Sequence, residues 1–181
     1  MQIVLTMKFV QWAVALGLSL SAAATEKPNI LFIFADDWGW GDLGCHGHPY
    51  VKTPNIDRLA REGTDFQRFT VASGVCSPSR TAVMTGHFPA RYNIDGHFAW
   101  VPSNARRNMP DWLDPGGPLL PRFLQEAGYA TAHYGKWHLA NNMIPDSPLP
   151  GVYGYDAYGA FNCAGEQIPV HEDSAHAVAF I

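Results

Sequence analysis

The sequence predicts an α/β fold: a largely parallel central sheet flanked by helices. Three observations carry that expectation. Asn29 to Ala35, "NILFIFA", is a continuous apolar run, the pattern of a strand buried on both faces. Thr53 to Gly63, "TPNIDRLAREG", has the caps and spacing of a helix. Strand-like and helix-like segments then keep alternating as far as Tyr129 to Gly135, "YATAHYG", which is the order a parallel sheet with crossover helices requires.

The chain opens with a segment outside that scheme. Lys8 precedes "FVQWAVALGLSLSAAA", an uncharged apolar run ending in small residues at Ala22 to Ala24. This is the layout of a secretory signal peptide, so residues 1–24 are expected to be removed and 25–181 to form the domain. The run is short for a spanning helix, so no stable membrane anchor is expected. The product would then be exported, to a periplasmic, secreted or lysosome-like compartment. Net charge is −4, with 12 Lys and Arg against 16 Asp and Glu. No basic patch is offered to nucleic acid, which is excluded as a partner.

After the first strand come Asp36-Asp37 and a glycine-punctuated loop, "WGWGDLG". In the helix that follows, Pro54 suits the first turn, Ile56, Leu59 and Ala60 share a face, and Gly63 is the stop. "DFQRFTV", residues 65–71, alternates as a strand would. "VCSPSRTAVMTG", residues 75–86, has Pro78 for a first turn and Gly86 for the position past the end, so Cys76 should lie at a helix N-terminus. Residues 92–117, rich in Pro, Asn, Gly and Asp, read as a long loop. "LLPRFLQEAG" is a helix closed by Gly128, and "YATAHYG" a strand that delivers Lys136, Trp137 and His138 at its carboxyl end.

Ligands of parallel α/β sheets bind beyond the carboxyl ends of the strands. Asp36, Asp37, Lys136 and His138 all fall there. Two adjacent aspartates repel unless a cation lies between them, and an oxygen-only donor pair suits Ca²⁺ or Mg²⁺. A lysine, a histidine, Arg80 and a divalent cation are what a tetrahedral oxyanion ester needs: charge on the nonbridging oxygens is neutralised and the histidine trades a proton. His46, His48 and His97 lie in loops, where solvated positions or a substrate rim are both open. With three cysteines in all and Cys76 reserved, Cys45 and Cys163 are left as a disulfide or as two isolated thiols.

"CSPSRTAVMTG" resembles the signature of the type I, formylglycine-dependent sulfatases of the alkaline-phosphatase-like superfamily, with Cys76, Pro78 and Arg80 at the family's spacing. "GYATAHYGKWHL", Gly128 to Leu139, resembles the family's second signature, and residues 29–63 resemble its first strand, metal pair and first helix. The resemblance implies an alkaline-phosphatase-like fold and hydrolysis of a sulfate ester, of a glycan or an aryl alcohol. It implies that a maturation enzyme oxidises Cys76 to formylglycine. One hydroxyl of the hydrated aldehyde attacks sulfur and the other allows the aldehyde to reform as sulfate leaves. By the same resemblance Asp36, Asp37 and residue 76 ligate calcium, Arg80 holds the hydrate, and Lys136 and His138 contact the sulfate and leaving group.

Two departures stand against the pattern. Ala140 replaces a frequent glycine, a small-for-small change. Family members also continue well past Ile181, supplying a further metal pair and a second lysine and histidine, so the domain is expected to be truncated, with "HEDSAHAVAFI" (residues 171–181) opening another helix. A phosphonate or phosphodiester hydrolase of the same superfamily, and a non-catalytic secreted fragment, are the competing readings.

Overall fold

The structure, a computed structural model, describes residues 27–141, 144 and 146–162. The leader at 1–24, Cys163 and the helix expected in 171–181 lie outside the described residues. The chain divides into two compact units between Phe34 and Ala35. In the first, residues 27–34 form neither helix nor strand, and Ile30, Leu31, Phe32 and Ile33 are exposed. The strand expected over Asn29 to Ala35 is therefore not formed. Burying both faces of such a run takes neighbours on both edges and a layer on each side, and among the described residues the sheet has two strands, paired with each other.

Among the described residues, the second unit holds four α-helices: α1 (Pro54–Glu62), α2 (Cys76–Thr85), α3 (Val101–Arg106) and α4 (Leu120–Glu126). Its strands are β1 (Ala132–Lys136) and β2 (Ala157–Phe161). They run parallel, with Ala132 opposite Ala157 and Lys136 opposite Phe161. The α/β expectation with a parallel sheet holds. Helix α1 follows Thr53 and stops at Gly63, where the Gly63 amide closes it onto the Leu59 carbonyl; the Thr53 side chain makes no cap bond. Thr53 is tied sideways, its hydroxyl donating to Asp57 at 2.6 Å and accepting from the Gly44 amide at 2.8 Å.

Residues 65–71 do not form the expected strand; Phe66, Phe69 and Val71 are exposed, and the Phe69 amide closes a turn onto the Phe66 carbonyl at 3.2 Å. Alternation alone cannot make a strand where no partner offers a ladder. The expected loop over 92–117 contains α3. It is organised by Asn104, fully buried, which accepts from the Ala99 amide, donates to the Ala99 carbonyl and donates to Asp111, each at 2.9 Å. Arg107 ties the same loop by donating to Asn104 Oδ1 at 2.9 Å and to the His97 carbonyl at 2.8 Å.

The core lies between α2, this loop and the sheet: Met84, Ile94, Phe98, Leu113, Leu119, Trp137, Leu139 and Tyr153 are buried together. Trp137 packs edge-on against Tyr153 with ring centroids 4.9 Å apart, and the Tyr153 hydroxyl donates to the Leu113 carbonyl at 2.7 Å. Asp156 fastens the start of the sheet, accepting from the Thr131 amide at 2.7 Å and its hydroxyl at 2.9 Å.

Gly154, just ahead of that lock, has φ 101°, a backbone that L side chains rarely adopt. A Cβ there would meet Arg122 Cγ at 2.7 Å and the Arg122 backbone nitrogen at 3.1 Å. Gly154→Ala should therefore destabilise the chain by about 2–4 kcal/mol, the sum of left-handed strain and overpacking against backbone. Urea unfolding of the purified variant measures it, and an unchanged midpoint would refute the close approach.

Candidate active site

Helix α2 buries polar residues, which is unusual enough to mark it. Ser77, Ser79, Arg80, Thr81 and Thr85 are all buried, along with Pro78 and Met84. A helix that buries polar side chains needs partners for them. Cys76 is its first residue, after Val75 in extended conformation, and Gly86 closes it at φ 69°. The thiol thus sits in the helix's opening turn, beside the amides that helical bonding leaves over.

Strand β1 brings the second half. Gly135 has φ 97° within the strand, and His138, two residues past its end, lies in the left-handed region at φ 48°. The turn carries Trp137, His138, Leu139 and Ala140 inward in succession, all at 1 % exposure. Here the period-two alternation of a strand gives way. His138 is held on three sides. Its amide donates to Asn162 Oδ1 at 3.1 Å, Nε2 faces the Phe98 carbonyl at 3.1 Å, and Nδ1 faces Cys76 Sγ at 3.2 Å.

A carbonyl only accepts, so the hydrogen-bond network assigns the proton to Nε2 and leaves the Nδ1 lone pair towards the thiol, which donates to it. Burial pushes the His138 pKa below its ordinary value, and the charges of Lys136, His97 and Arg80 push the same way. The neutral ring is favoured.

Arg80, one turn along α2 from Cys76, donates to Asp36 Oδ1 at 3.1 Å and to the Lys136 carbonyl. Lys136 Nζ donates to the other oxygen of Asp36. Burial would raise the Asp36 pKa, but hydrogen bonds from Lys136 and Arg80 and their charges outweigh it and hold the carboxyl below the usual range. Asp37 stands exposed beside it with φ 57°. The structure thus brings Cys76 to His138, and Asp36 to Arg80 and Lys136.

The remaining candidates divide. The ring of His46 stacks on Trp40, centroids 3.7 Å apart, and pairs with Asp65 at 3.3 Å; His48 Nδ1 accepts from the Val51 amide at 2.8 Å. His48 is tied within its own loop, and His46 ties that loop to Asp65 beyond α1. His97 is exposed with its ring 6.3 Å from that of His138, at the rim. Cys45 and Cys76 are free thiols. The Phe98 carbonyl and Asn162 escaped the sequence reading. A backbone acceptor has no letter of its own, and Asn162 lies just past a strand, β2, that the sequence did not announce.

The sulfatase family model matches residues 28–175, across both signatures and the aspartate pair. The chain belongs to the sulfatase family. It is 40 % identical over 173 residues to N-acetylgalactosamine-6-sulfatase of Sus scrofa, covering 88 % of this chain and 32 % of that protein. Arylsulfatase A of Bos taurus is 43 % identical over 159 residues, 87 % of this chain and 30 % of that one. Among solved structures, BT4656 in complex with its substrate D-glucosamine-2-N,6-O-disulfate superposes with a TM-score of 0.57 at 30 % identity, over 74 % of this chain and 23 % of that one. The chain spans about a third of the length of the curated relatives it matches. The similarity to solved sulfatases bears out the α/β, alkaline-phosphatase-like fold.

His133 on β1 lies behind the site, its ring 5.1 Å from Trp137 and 5.4 Å from Tyr155. Burial, reinforced by Arg80, pushes its pKa down from 6.5 to about 4. The unfolded chain therefore binds the proton first as pH falls, so this contribution to stability is whole above pH 6.5 and is lost towards pH 4. The loss amounts to roughly 3 kcal/mol. His138 shifts in the same direction, so His133→Phe should flatten much but not all of the decline. Denaturant titrations of the chain and the variant at pH 7 and 4.5 compare the slopes; equal slopes would refute the assignment.

Proposed function

We propose that this chain carries the nucleophile-bearing part of a sulfuric ester hydrolase whose nucleophile is a formylglycine made from Cys76 and whose cation is calcium. The observation that supports it most is the meeting of Cys76 Sγ with His138 Nδ1 at 3.2 Å, in a helix turn whose Arg80 reaches both Asp36 and the end of β1.

The donor chemistry fits a hard cation. Asp36 and Asp37 are adjacent oxygen donors, and Arg80 and Lys136 hold Asp36 in the ionised form that a hard cation binds. Residue 76 would be the third ligand from this chain. Among the described residues no group of three or more His, Cys, Asp or Glu converges as a metal site. When bound, the cation would neutralise charge developing on the sulfate oxygens. A formylglycine hydrate would supply a second hydroxyl, which a serine lacks.

The chain's own residues do the rest. His138, neutral and with its Nδ1 lone pair towards residue 76, accepts a proton from a hydroxyl there and can return it. Arg80 and Lys136 bring two positive charges to the place where sulfate oxygens would lie, held in position beforehand by Asp36 and the sheet. A sulfated sugar is the favoured ester, since BT4656 has a disulfated glucosamine as its substrate and a curated relative is named for a sulfated hexosamine. Export with loss of residues 1–24 fits a maturation enzyme that acts in an exporting compartment.

Produced together with a formylglycine-generating enzyme, the chain should yield a peptide with an aldehyde at position 76. Mass spectrometry and hydrazide capture detect it, and a persistent thiol would overturn the proposal in favour of a non-catalytic product. In a full-length form, Cys76→Ser should abolish multiple turnover of an aryl sulfate. Faster turnover of the aryl phosphate would move the assignment to a phosphoester hydrolase.

A further inference from the structure

The tautomer of His138 depends on one carbonyl, and that carbonyl is clamped. Each peptide unit is a rigid plane, with its N–H opposed to the carbonyl of the residue before. Phe98 stands between two such planes. In the first, the His97 carbonyl accepts from Arg107 at 2.8 Å and the Phe98 amide donates to Ser77 Oγ at 3.1 Å. In the second, the Ala99 amide donates to Asn104 Oδ1 at 2.9 Å, while the Phe98 carbonyl faces His138 Nε2 at 3.1 Å and Asn141 Nδ2 at 3.3 Å. Ser77 and Asn104 are both fully buried.

From this geometry we infer that Ser77 and Asn104 are positioning residues, which act through the Phe98 backbone to fix the ring orientation and tautomer of His138. With both planes held, the Phe98 oxygen points at Nε2 and stays there. Nε2 must then carry the hydrogen, and Nδ1 is kept as an acceptor facing residue 76. Ser77 has a second tie to the same contact, because it follows Cys76 directly in α2. Releasing either plane lets the carbonyl turn away, and the ring can then place its proton on either nitrogen. The Ser77 hydroxyl bonds the Phe98 amide, and the Asn104 side-chain amide bonds Ala99, Asp111 and Arg107. The inference rests on the reading of His138 as the proton carrier of the site, but it concerns the ring alone and holds for the unconverted thiol.

The test is long-range ¹H–¹⁵N correlation of the histidine rings in the ¹⁵N-labelled chain, with Cys76 unconverted and at a pH where the rings are neutral. The unaltered chain should show His138 as the Nε2–H form alone. Ser77→Ala and Asn104→Ala should bring the two ring nitrogen shifts towards each other, as the tautomers mix. Ser77→Thr, which restores the acceptor, should return the single form. Thr85→Ala removes another buried hydroxyl of α2, one that donates to the Thr81 carbonyl at 2.7 Å, and should leave His138 unchanged. An Nδ1–H form in the unaltered chain would overturn the inference, as would a pure Nε2–H form in Ser77→Ala. Should Ser77→Ala fail to fold, Ser77→Cys, which keeps the volume but accepts poorly, takes its place with the same two outcomes. Failure of formylglycine formation would leave this result untouched, so the two proposals fail separately.

Discussion

A guanidinium taken out of water fixes the layout around it. Arg80 keeps only 7 % of its surface, and a buried charge of that kind stands only beside an anion. Asp36 supplies the anion and the Lys136 carbonyl one further acceptor. Three stretches far apart in sequence are thereby brought to one point: the loop at Asp36, the second turn of α2 and the end of β1. Lysine could not replace this arginine on equal terms, because the arrangement uses two separate nitrogens of one planar fork. Once α2 is set against β1 in this way, Cys76 at the helix start and His138 beyond the strand end are left facing each other.

Those contacts explain which parts of the fold were legible in advance. Helices α1, α2 and α4 end at Gly63, Gly86 and Ala127-Gly128, and such punctuation belongs to the local chain. Strand β1 was legible too, because it lies between a helix stop and a cluster of charged and aromatic residues. By contrast, "NILFIFA" and "DFQRFTV" have the composition of strands and form none among the described residues. A strand is a relation between segments, and composition states only readiness for it. The converse error is β2, whose "AYGAF" has no β-branched residue and sets two alanines and a glycine around its aromatics; it pairs through its backbone with β1.

The candidate site was legible where it consists of side chains at fixed spacing. Cys76 and Arg80 are one helical turn apart, and Lys136 and His138 flank the end of one strand. What escaped notice is the backing: a Phe98 carbonyl, an Asn104 within a stretch read as loop, and Asn162 beyond the second strand. These groups carry no chemistry of their own. They settle orientation, which depends on the direction of a peptide plane more than on the identity of a residue.

The amides after β1 are tied in an order worth following. Trp137 donates to the Phe161 carbonyl at 2.7 Å and His138 to the Asn162 side chain at 3.1 Å, so the last backbone bond between the strands is followed at once by a side-chain bond that holds the site. Local opening of proteins proceeds by contiguous cooperative units. Here the end of the sheet and the imidazole belong to one such unit. An opening that moves Phe161 and Asn162 away from β1 reaches the imidazole as well. Opening of the sheet end is thereby coupled to the site, and hydrogen exchange at Trp137 and His138 would report on it.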